Sequence, residues 1–529
     1  MFPPSITAFL PRTLGECLIP AQFAAAAGLV SWAWLRMRRI TRAPLRHTDP
    51  MLLVLDALPV VAMWVLLIGV TARPAVAAVI VAAMAFGLSR GDRAKRAASS
   101  EPLVFTDGLL GSIFFYPSLY AEFVTPPRLL VAMAATLLGF AVLGSFEPPL
   151  WTSYWPGAFT VLGLVLGFRQ LCRSQAVRRV LARPGVPAVS GLPEVDGAAF
   201  GPMGTVIVHA ATARWERAGR RKNRSPGRSD TLPGGIDPAG PVVLLQLESF
   251  FDARRLGPFV PENLLPNFDR CVAGSIGHGQ MAAPAYGANT VRTEFAALTG
   301  LPEDVLGLDR FNPYAAYARV PIDSIAWRLR AAGFRTVCIH PFAGSFYGRR
   351  RVIPNLGFDQ FLDIDAFAAY DKGPAYMSDL TVIREIERVL DENGPRTFVF
   401  AITMGNHSPW QRPALGEVPP LPRGQAFASF LAGLAETDVA LGAMADLMRR
   451  KWRDGTFAAF GDHLPSFPKL YSHLGHAGRG TDYVMWRAEQ AFGEARDIAA
   501  HELPGLLLQA AQAGANRRTR PARMELVRP

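Results

Sequence analysis

Apolar and polar positions divide the chain into two regimes. Through the first third, apolar residues run in long blocks with basic clusters between them. From Pro241 onward they arrive in short runs separated by amphipathic stretches. The first block, Leu18 to Leu35, is followed by Arg36, Arg38, Arg39, Arg42 and Arg46. The second, Met51 to Thr71, holds Asp56. The third, Pro74 to Ser89, precedes Arg90, Arg93, Lys95 and Arg96, and Leu129 to Phe146 and Leu150 to Phe168 follow. Each approaches the ~20 residues that cross a hydrocarbon core, so transmembrane helices are expected. Leu103 to Phe123 is apolar and aromatic but carries Asp107 and Glu122, which makes the count five or six spans. Several spans in succession exclude a single cleavable signal peptide.

The positive-inside rule puts the loops 36–50 and 90–97 in the cytoplasm. Six spans then carry the C-terminal part outside; five leave it inside or break the rule at one loop. The basic run Arg169 to Arg183 weighs toward the inside, but large domains translocate largely regardless of charge. Arg214, Arg217, Arg220, Arg221, Lys222, Arg224 and Arg228 lie among Ser225, Pro226, Gly227, Pro233, Gly234 and Gly235. This composition is a flexible basic linker, and a solvated spacer explains it better than specific lipid contact.

Past Pro241 the pattern alternates. Val242 to Leu247 is a short apolar run, expected as a buried strand. Gly277 to Gly287 reads as a loop. Asn263 to Ala273 is amphipathic. Ile325 to Ala332 is a helix feeding strand Thr336 to Ile339, and Leu380 to Leu390 is a helix feeding strand Thr397 to Ile402. Ala426 to Trp452 is a long helix feeding strand Thr456 to Phe460. Such alternation implies a mainly parallel sheet flanked by helices on both faces. The expected division is a transmembrane domain over 1–170, a basic juxtamembrane segment and linker over 171–240, an α/β domain over 241–515 and a basic tail over 516–529.

Composition adds two constraints. Half of the 529 residues are hydrophobic, 19% are charged and the net charge is +12. Arginine clusters beside apolar runs suit anionic lipid headgroups. No aromatic-basic RNA motif or zinc-finger spacing is present, so nucleic acid is not the expected partner. The four cysteines, Cys17, Cys172, Cys271 and Cys338, are too scattered for a disulfide framework or a Cys-rich zinc site. Cys271 and Cys338 can be a pair or two buried free thiols.

Chemistry gathers at the strand ends, where open α/β sheets bind ligands. Glu248 follows the first strand, His340 follows Thr336–Ile339, His407 lies past Thr397–Ile402, and Gly461-Asp462-His463 follows the last. Glu, Asp and His supply oxygen and nitrogen ligands for Mn²⁺, Zn²⁺ or Mg²⁺. Thr290 sits where a loop enters a helix closed by Gly300 and Pro302. Anions collect at such helix starts, and a hydroxyl there can attack a phosphate if a metal lowers its pKa. The competing reading of Thr290 is an N-cap, with Thr293 or Glu294 replying as in a capping box.

The order Leu247-Glu248-Ser249, then Asn289-Thr290 with Thr293-Glu294-Phe295, then Gly461-Asp462-His463 resembles lipoteichoic acid synthase and the glucan phosphoglycerol transferases. These are sulfatase-like members of the alkaline phosphatase superfamily. The resemblance spans roughly Val242 to Trp486, and the membrane-helix bundle in front also fits. It implies one divalent ion, Mn²⁺ ahead of Mg²⁺ or Zn²⁺, on Glu248, Thr290, Asp462 and His463, with Thr290 the nucleophile. It implies a substrate pocket of His340, Tyr347, Arg349 and His407. Two positions depart from the pattern: Tyr347 stands where the family often has Trp, and Phe342 where an acidic residue is sometimes found.

The resemblance also implies phosphatidylglycerol as donor, a glycerophosphate intermediate on Thr290, and a periplasmic glucan or glycerophosphate polymer as acceptor. The domain would lie on the outer face of the cytoplasmic membrane. The rivals are a phosphoethanolamine transferase, a phosphodiester hydrolase, and a membrane receptor with an inactive domain. A sulfatase that forms formylglycine needs a C/S-x-P-x-R context, which Cys271-Val272-Ala273 and Cys338-Ile339-His340 do not offer.

Overall fold

A computed structural model describes residues 12–40, 49–107, 126–151, 155–173, 175–222, 232, 235–368, 370, 376–417, 420–488 and 493–518. Most of the ambiguous segment Leu103 to Phe123, part of the basic linker and nearly all of the tail lie outside them. The chain forms two compact units, residues 1–97 with 101–219, and residues 98–100 with 220–529.

The first unit is helical. Its long helices are α1 (Arg12–Ile40), α2 (Pro50–Thr71), α3 (Pro74–Ser99), α4 (Pro126–Phe146) and α5 (Trp155–Arg173). Among the described residues, α2 and α3 are long and apolar enough to cross a membrane. Asp49 starts α2 by accepting the Met51 N–H at 2.7 Å. Asp56, the charge inside the second apolar block, is fully buried. Its Oδ2 accepts from Arg38 and from the Trp34 indole, each at 2.7 Å. Its Oδ1 accepts the Met203 and Gly204 N–H groups at 2.8 and 2.9 Å. These N–H groups open a helix that runs from Pro202 to Lys222, so a carboxylate meets the positive end of a helix dipole. An acid in an apolar span is costly unless paired in this way.

The second unit is built on one eight-stranded sheet. Its strands are β1 (Val242–Leu247), β2 (Ser275–Ala282), β3 (Arg335–Ile339), β4 (Gln360–Leu362), β5 (Thr397–Ile402), β6 (Thr456–Gly461), β7 (Gly480–Arg487) and β8 (Ile498–Ala499), in the order β4-β3-β5-β1-β6-β7-β2-β8. From β4 to β6 all pairs are parallel, while β7 runs antiparallel to both β6 and β2. The mainly parallel sheet expected from the alternation is therefore present, with an antiparallel insertion. Val243, Leu245 and Leu247 face one apolar cluster with the helices Asp379–Asn393 and Gly424–Lys451. Val242 and Leu244 face the other, with the helices Val291–Thr299 and Ile325–Ala331. Gly424–Lys451 matches a membrane span in length and composition, yet it is packed into this core.

One local reading changes, and two others become definite. The expected loop at Gly277 begins as β2, which reaches Ala282. Glycine is needed there because a Cβ on Gly279, at φ 153°, would stand 2.3 Å from the Arg496 carbonyl oxygen. Because β7 reverses direction, β2 points the same way as β1, and its exit leads into the loop before Thr290 at the ligand-binding edge. The amphipathic stretch Asn263 to Ala273 is helical from Pro266, since proline fits the first turn and holds Leu265 out of the helix. Cys271 and Cys338 are both buried free thiols, and they lie in the clusters on opposite faces of the sheet.

Candidate active site

The helix Val291–Thr299, labelled α6, starts at Thr290, whose φ and ψ are both −38°. Asn289 before it is left-handed at φ 64°, a conformation asparagine tolerates. The Thr290 side chain makes no capping hydrogen bond. Its hydroxyl instead lies 3.5 Å from His463 Nε2. Neither candidate reply closes a capping box. Thr293 donates to the Asp462 carbonyl oxygen at 2.7 Å, and Glu294 is engaged by Arg349. The N-cap reading therefore loses its bonds.

Glu248, Asp462 and His463 meet beside this hydroxyl. Their candidate ligand atoms lie within 4.8 Å of one another, and all three residues are buried. β1 delivers Glu248, whose backbone N–H donates to the Thr403 hydroxyl at 3.1 Å. Ser249 follows at φ 55°, a strained position for a non-glycine residue, and its N–H donates to Asp462 Oδ1 at 2.8 Å. β6 delivers Asp462 through Gly461, where a Cβ would sit 1.8 Å from the Phe250 carbonyl oxygen. Asp462 Oδ1 also accepts the His463 N–H at 2.9 Å, while Oδ2, 3.4 Å from His463 Nε2, has no hydrogen-bond partner among the described residues. His463 Nδ1 lies 3.0 Å from the Leu464 carbonyl oxygen, so that nitrogen carries the hydrogen and Nε2 keeps its lone pair.

The electrostatics follow from burial. Burial, then the neighbouring Glu248 charge, push the Asp462 carboxyl up to about 7. Burial works against a charged His463, yet the Asp462 and Glu248 carboxylates hold it above its ordinary value. Two buried carboxyl groups, an orphaned carboxylate oxygen and an imidazole lone pair fit a divalent cation. Glu248, Asp462 and His463 thus form a possible metal site.

The four expected substrate residues occupy neighbouring ends of β3 and β5 and the turn between β3 and β4. His340 is buried, and among the described residues neither of its ring nitrogens has a hydrogen-bond partner. Burial, then the Arg349 charge, hold it well below the ordinary histidine range. Arg349 is buried and paired with Glu294 of α6, from Nη2 to Oε2 at 2.7 Å and from Nε to Oε1 at 3.2 Å. Tyr314 donates to the same carboxylate. Tyr347 is left-handed at φ 53°, with the Arg349 guanidinium 5.4 Å from its ring centre. His407 Nδ1 donates to the Ser408 carbonyl oxygen at 2.6 Å. The sequence reading missed Tyr376. Its ring is 5.2 Å from that of His407, and burial, then the Glu248 charge, raise its hydroxyl pKa. No motif surrounds Tyr376, so spacing offered no signal for it.

The sulfatase family model matches residues 241–499. Over 255 residues, 46% of this chain, the sequence is 32% identical to a Rhizobium meliloti (strain 1021) protein described as "Putative cyclic beta-1,2-glucan modification protein". The match spans 39% of that relative's length. It is 29% identical over 395 residues, 70% of each chain, to the capsular polysaccharide biosynthesis protein RkpI of the same organism. The structure is similar to the integral membrane lipooligosaccharide phosphoethanolamine transferase A of Neisseria meningitidis, with a TM-score of 0.51 and 13% identity over 92% of this chain and 95% of that one. At that identity the likeness is one of fold.

Proposed function

From the sulfatase-family domain that residues 241–499 form, we propose a membrane-anchored phosphoglycerol transferase that takes its donor group from phosphatidylglycerol. The observation that carries this reading is the Thr290 hydroxyl, uncapped at a helix start and 3.5 Å from His463 at the edge of the Glu248–Asp462–His463 cluster. Glu248, Asp462 and His463 would hold one divalent ion with Thr290, Mn²⁺ ahead of Mg²⁺. A bound ion would supply positive charge that favours the Thr290 alkoxide and offsets charge developing on the phosphoryl oxygens.

Thr290 Oγ gives up its proton and forms a bond to phosphorus as the bond to the diacylglycerol oxygen breaks. Diacylglycerol leaves as the alcohol, and glycerophosphate remains esterified to Thr290. An acceptor hydroxyl then forms the new bond to phosphorus, and the Thr290 hydroxyl is restored. Arg349, held by Glu294, opposes charge on the phosphoryl oxygens. His407 commits Nδ1 to the Ser408 carbonyl oxygen, which leaves Nε2 as the nitrogen for holding the headgroup or passing a proton. A domain carried on the same chain as apolar helices need not draw its lipid donor out of the bilayer, and we place that domain on the outer face. The name of the glucan-modifying relative supports a glucan acceptor.

Purified full-length protein incubated with labelled phosphatidylglycerol or phosphatidylethanolamine tests the reading. Diacylglycerol release from phosphatidylglycerol alone is the expected result. Turnover of phosphatidylethanolamine in its place would move the assignment to phosphoethanolamine transfer.

A further inference from the structure

Three segments of the second unit converge on one buried carbonyl. Residues 98–100 belong to that unit, although Ala98 and Ser99 are the end of α3. Ser100 is left-handed at φ 57°, which ends the helix. The last carbonyls of a helix have no partner within it, and that of Ala98 is one of them. Ser466 supplies the donor, from Oγ at 2.7 Å, and both residues are buried. Gly287 closes over the same oxygen. It is left-handed at φ 65°, and a Cβ there would stand 2.0 Å from the Ala98 oxygen. The Tyr286 hydroxyl is hydrogen-bonded to Ser100.

Both partners lead straight to the candidate chemistry. Gly287 stands three residues before Thr290, and Ser466 three after His463. The Gly287 N–H donates to the Leu464 carbonyl oxygen at 3.1 Å, and Ala98 sits against that junction. The 3.5 Å separation of Thr290 Oγ from His463 Nε2 is measured between these two segments. One leaves β2 and the other leaves β6. β7 lies between those strands, so the sheet does not pair them directly. Their alignment beyond the sheet edge needs contacts of its own.

We propose that residues 98–100 are a positioning strap, which holds the Thr290 loop against the His463 segment through Gly287 and Ser466. Ser466 is then a positioning residue that acts through the Ala98 backbone. The transfer reading enters only in the kinetic test. The strap also constrains the path of the chain. Ser100 and Thr290 share one compact unit and so one side of a membrane. The chain between residues 100 and 220 therefore crosses an even number of times. With the three apolar blocks before residue 98, the total is odd, which agrees with five spans and not six. On the outer-face placement the charge rule then yields at residues 90–97.

Hydrogen exchange of the full chain in detergent micelles reads the strap without turnover. Ser466→Ala and Gly287→Ala should speed exchange across residues 284–289 and 464–467. Ser472→Ala, at an exposed hydroxyl further along the same segment, should not. In diacylglycerol release, kcat should fall about tenfold or more in the first two variants with KM nearly unchanged, because misplaced reacting groups lose rate rather than binding. Unchanged exchange in both variants, or faster exchange with wild-type kcat, would overturn the strap. A wild type that releases no diacylglycerol from phosphatidylglycerol removes the donor, and the exchange result still decides the contact. For the chain path, an impermeant maleimide is applied to spheroplasts carrying Ser100→Cys with Cys17→Ser and Cys172→Ser. It should label that site from the same side as a cysteine appended after Pro529, and labelling from opposite sides would overturn the strap as well.

Discussion

Glu294 and Arg349 form a two-pronged ion pair that is buried on both sides, with side-chain exposures of 0% and 2%. Glu294 lies one turn into the helix that Thr290 begins, so the pair fixes the arginine relative to Thr290. Glu294→Gln leaves a buried guanidinium uncompensated, and stability should fall by about 3 kcal/mol. The double change Glu294→Leu with Arg349→Met should recover much of that stability and none of the activity. Thermal unfolding and diacylglycerol release on the same samples check this. A double variant that regains turnover would make the pair purely structural.

Much of this arrangement was legible in the chain. β1 and β5 match their apolar runs to the residue, because both are buried on two sides and read as continuous apolar segments. Thr290 as a helix start followed from the Gly and Pro that close the helix and from the loop before it. β2 was hidden because Gly277 and Gly279 mimic a loop, and it is the close approach of the Arg496 backbone at Gly279 and of the Met485 side chain at Gly277 that explains them. The Glu294–Arg349 pair joins residues 55 positions apart, beyond any local pattern. Tyr376 reaches the site through tertiary packing alone.

Metal removal should stop turnover, and added Mn²⁺ should restore it more fully than Mg²⁺. Asp462 is raised to about 7, so near neutrality the metal-free site is partly protonated. Ion binding must displace that proton, so apparent Mn²⁺ affinity should increase from pH 6 to pH 8. Asp462→Asn should weaken binding and flatten the dependence. Calorimetric titration at several pH values measures both. Full turnover in chelator would remove the ion from the chemistry.

His340 provides a pH signature in stability. Its folded pKa lies well below the unfolded value, so as pH falls through about 6.5 the unfolded chain takes up a proton that the folded chain does not. Stability is retained above that pH and declines below it. Metal-free wild type should lose melting temperature between pH 7 and pH 5 more steeply than His340→Gln. Parallel curves for the two proteins would place the loss elsewhere.

The outer-face placement predicts that a reporter fused after Pro529 and active only in the cytoplasm stays silent. Full reporter activity would reverse the topology and strand the domain on the side away from a periplasmic glucan.

Thr290 and Thr293 lie one turn apart, and their bonds separate their roles. The Thr290 side chain caps nothing, so Thr290→Ala should leave melting behaviour near that of the wild type while diacylglycerol release disappears. Thr293 is fully buried and donates to the Asp462 carbonyl oxygen at 2.7 Å, so Thr293→Ala should cost about 1 kcal/mol and retain most turnover. This is the reverse of what an N-cap at Thr290 requires, since loss of a cap lowers stability by about 1 kcal/mol and spares chemistry. Mass spectrometry of wild type quenched during turnover should find a glycerophosphate adduct on the peptide that contains Thr290. The adduct should be absent from Thr290→Ala and present in Thr293→Ala. A Thr290→Ala protein that still releases diacylglycerol from phosphatidylglycerol near the wild-type rate would defeat the assignment and pass the nucleophile's role to another hydroxyl at the same helix start.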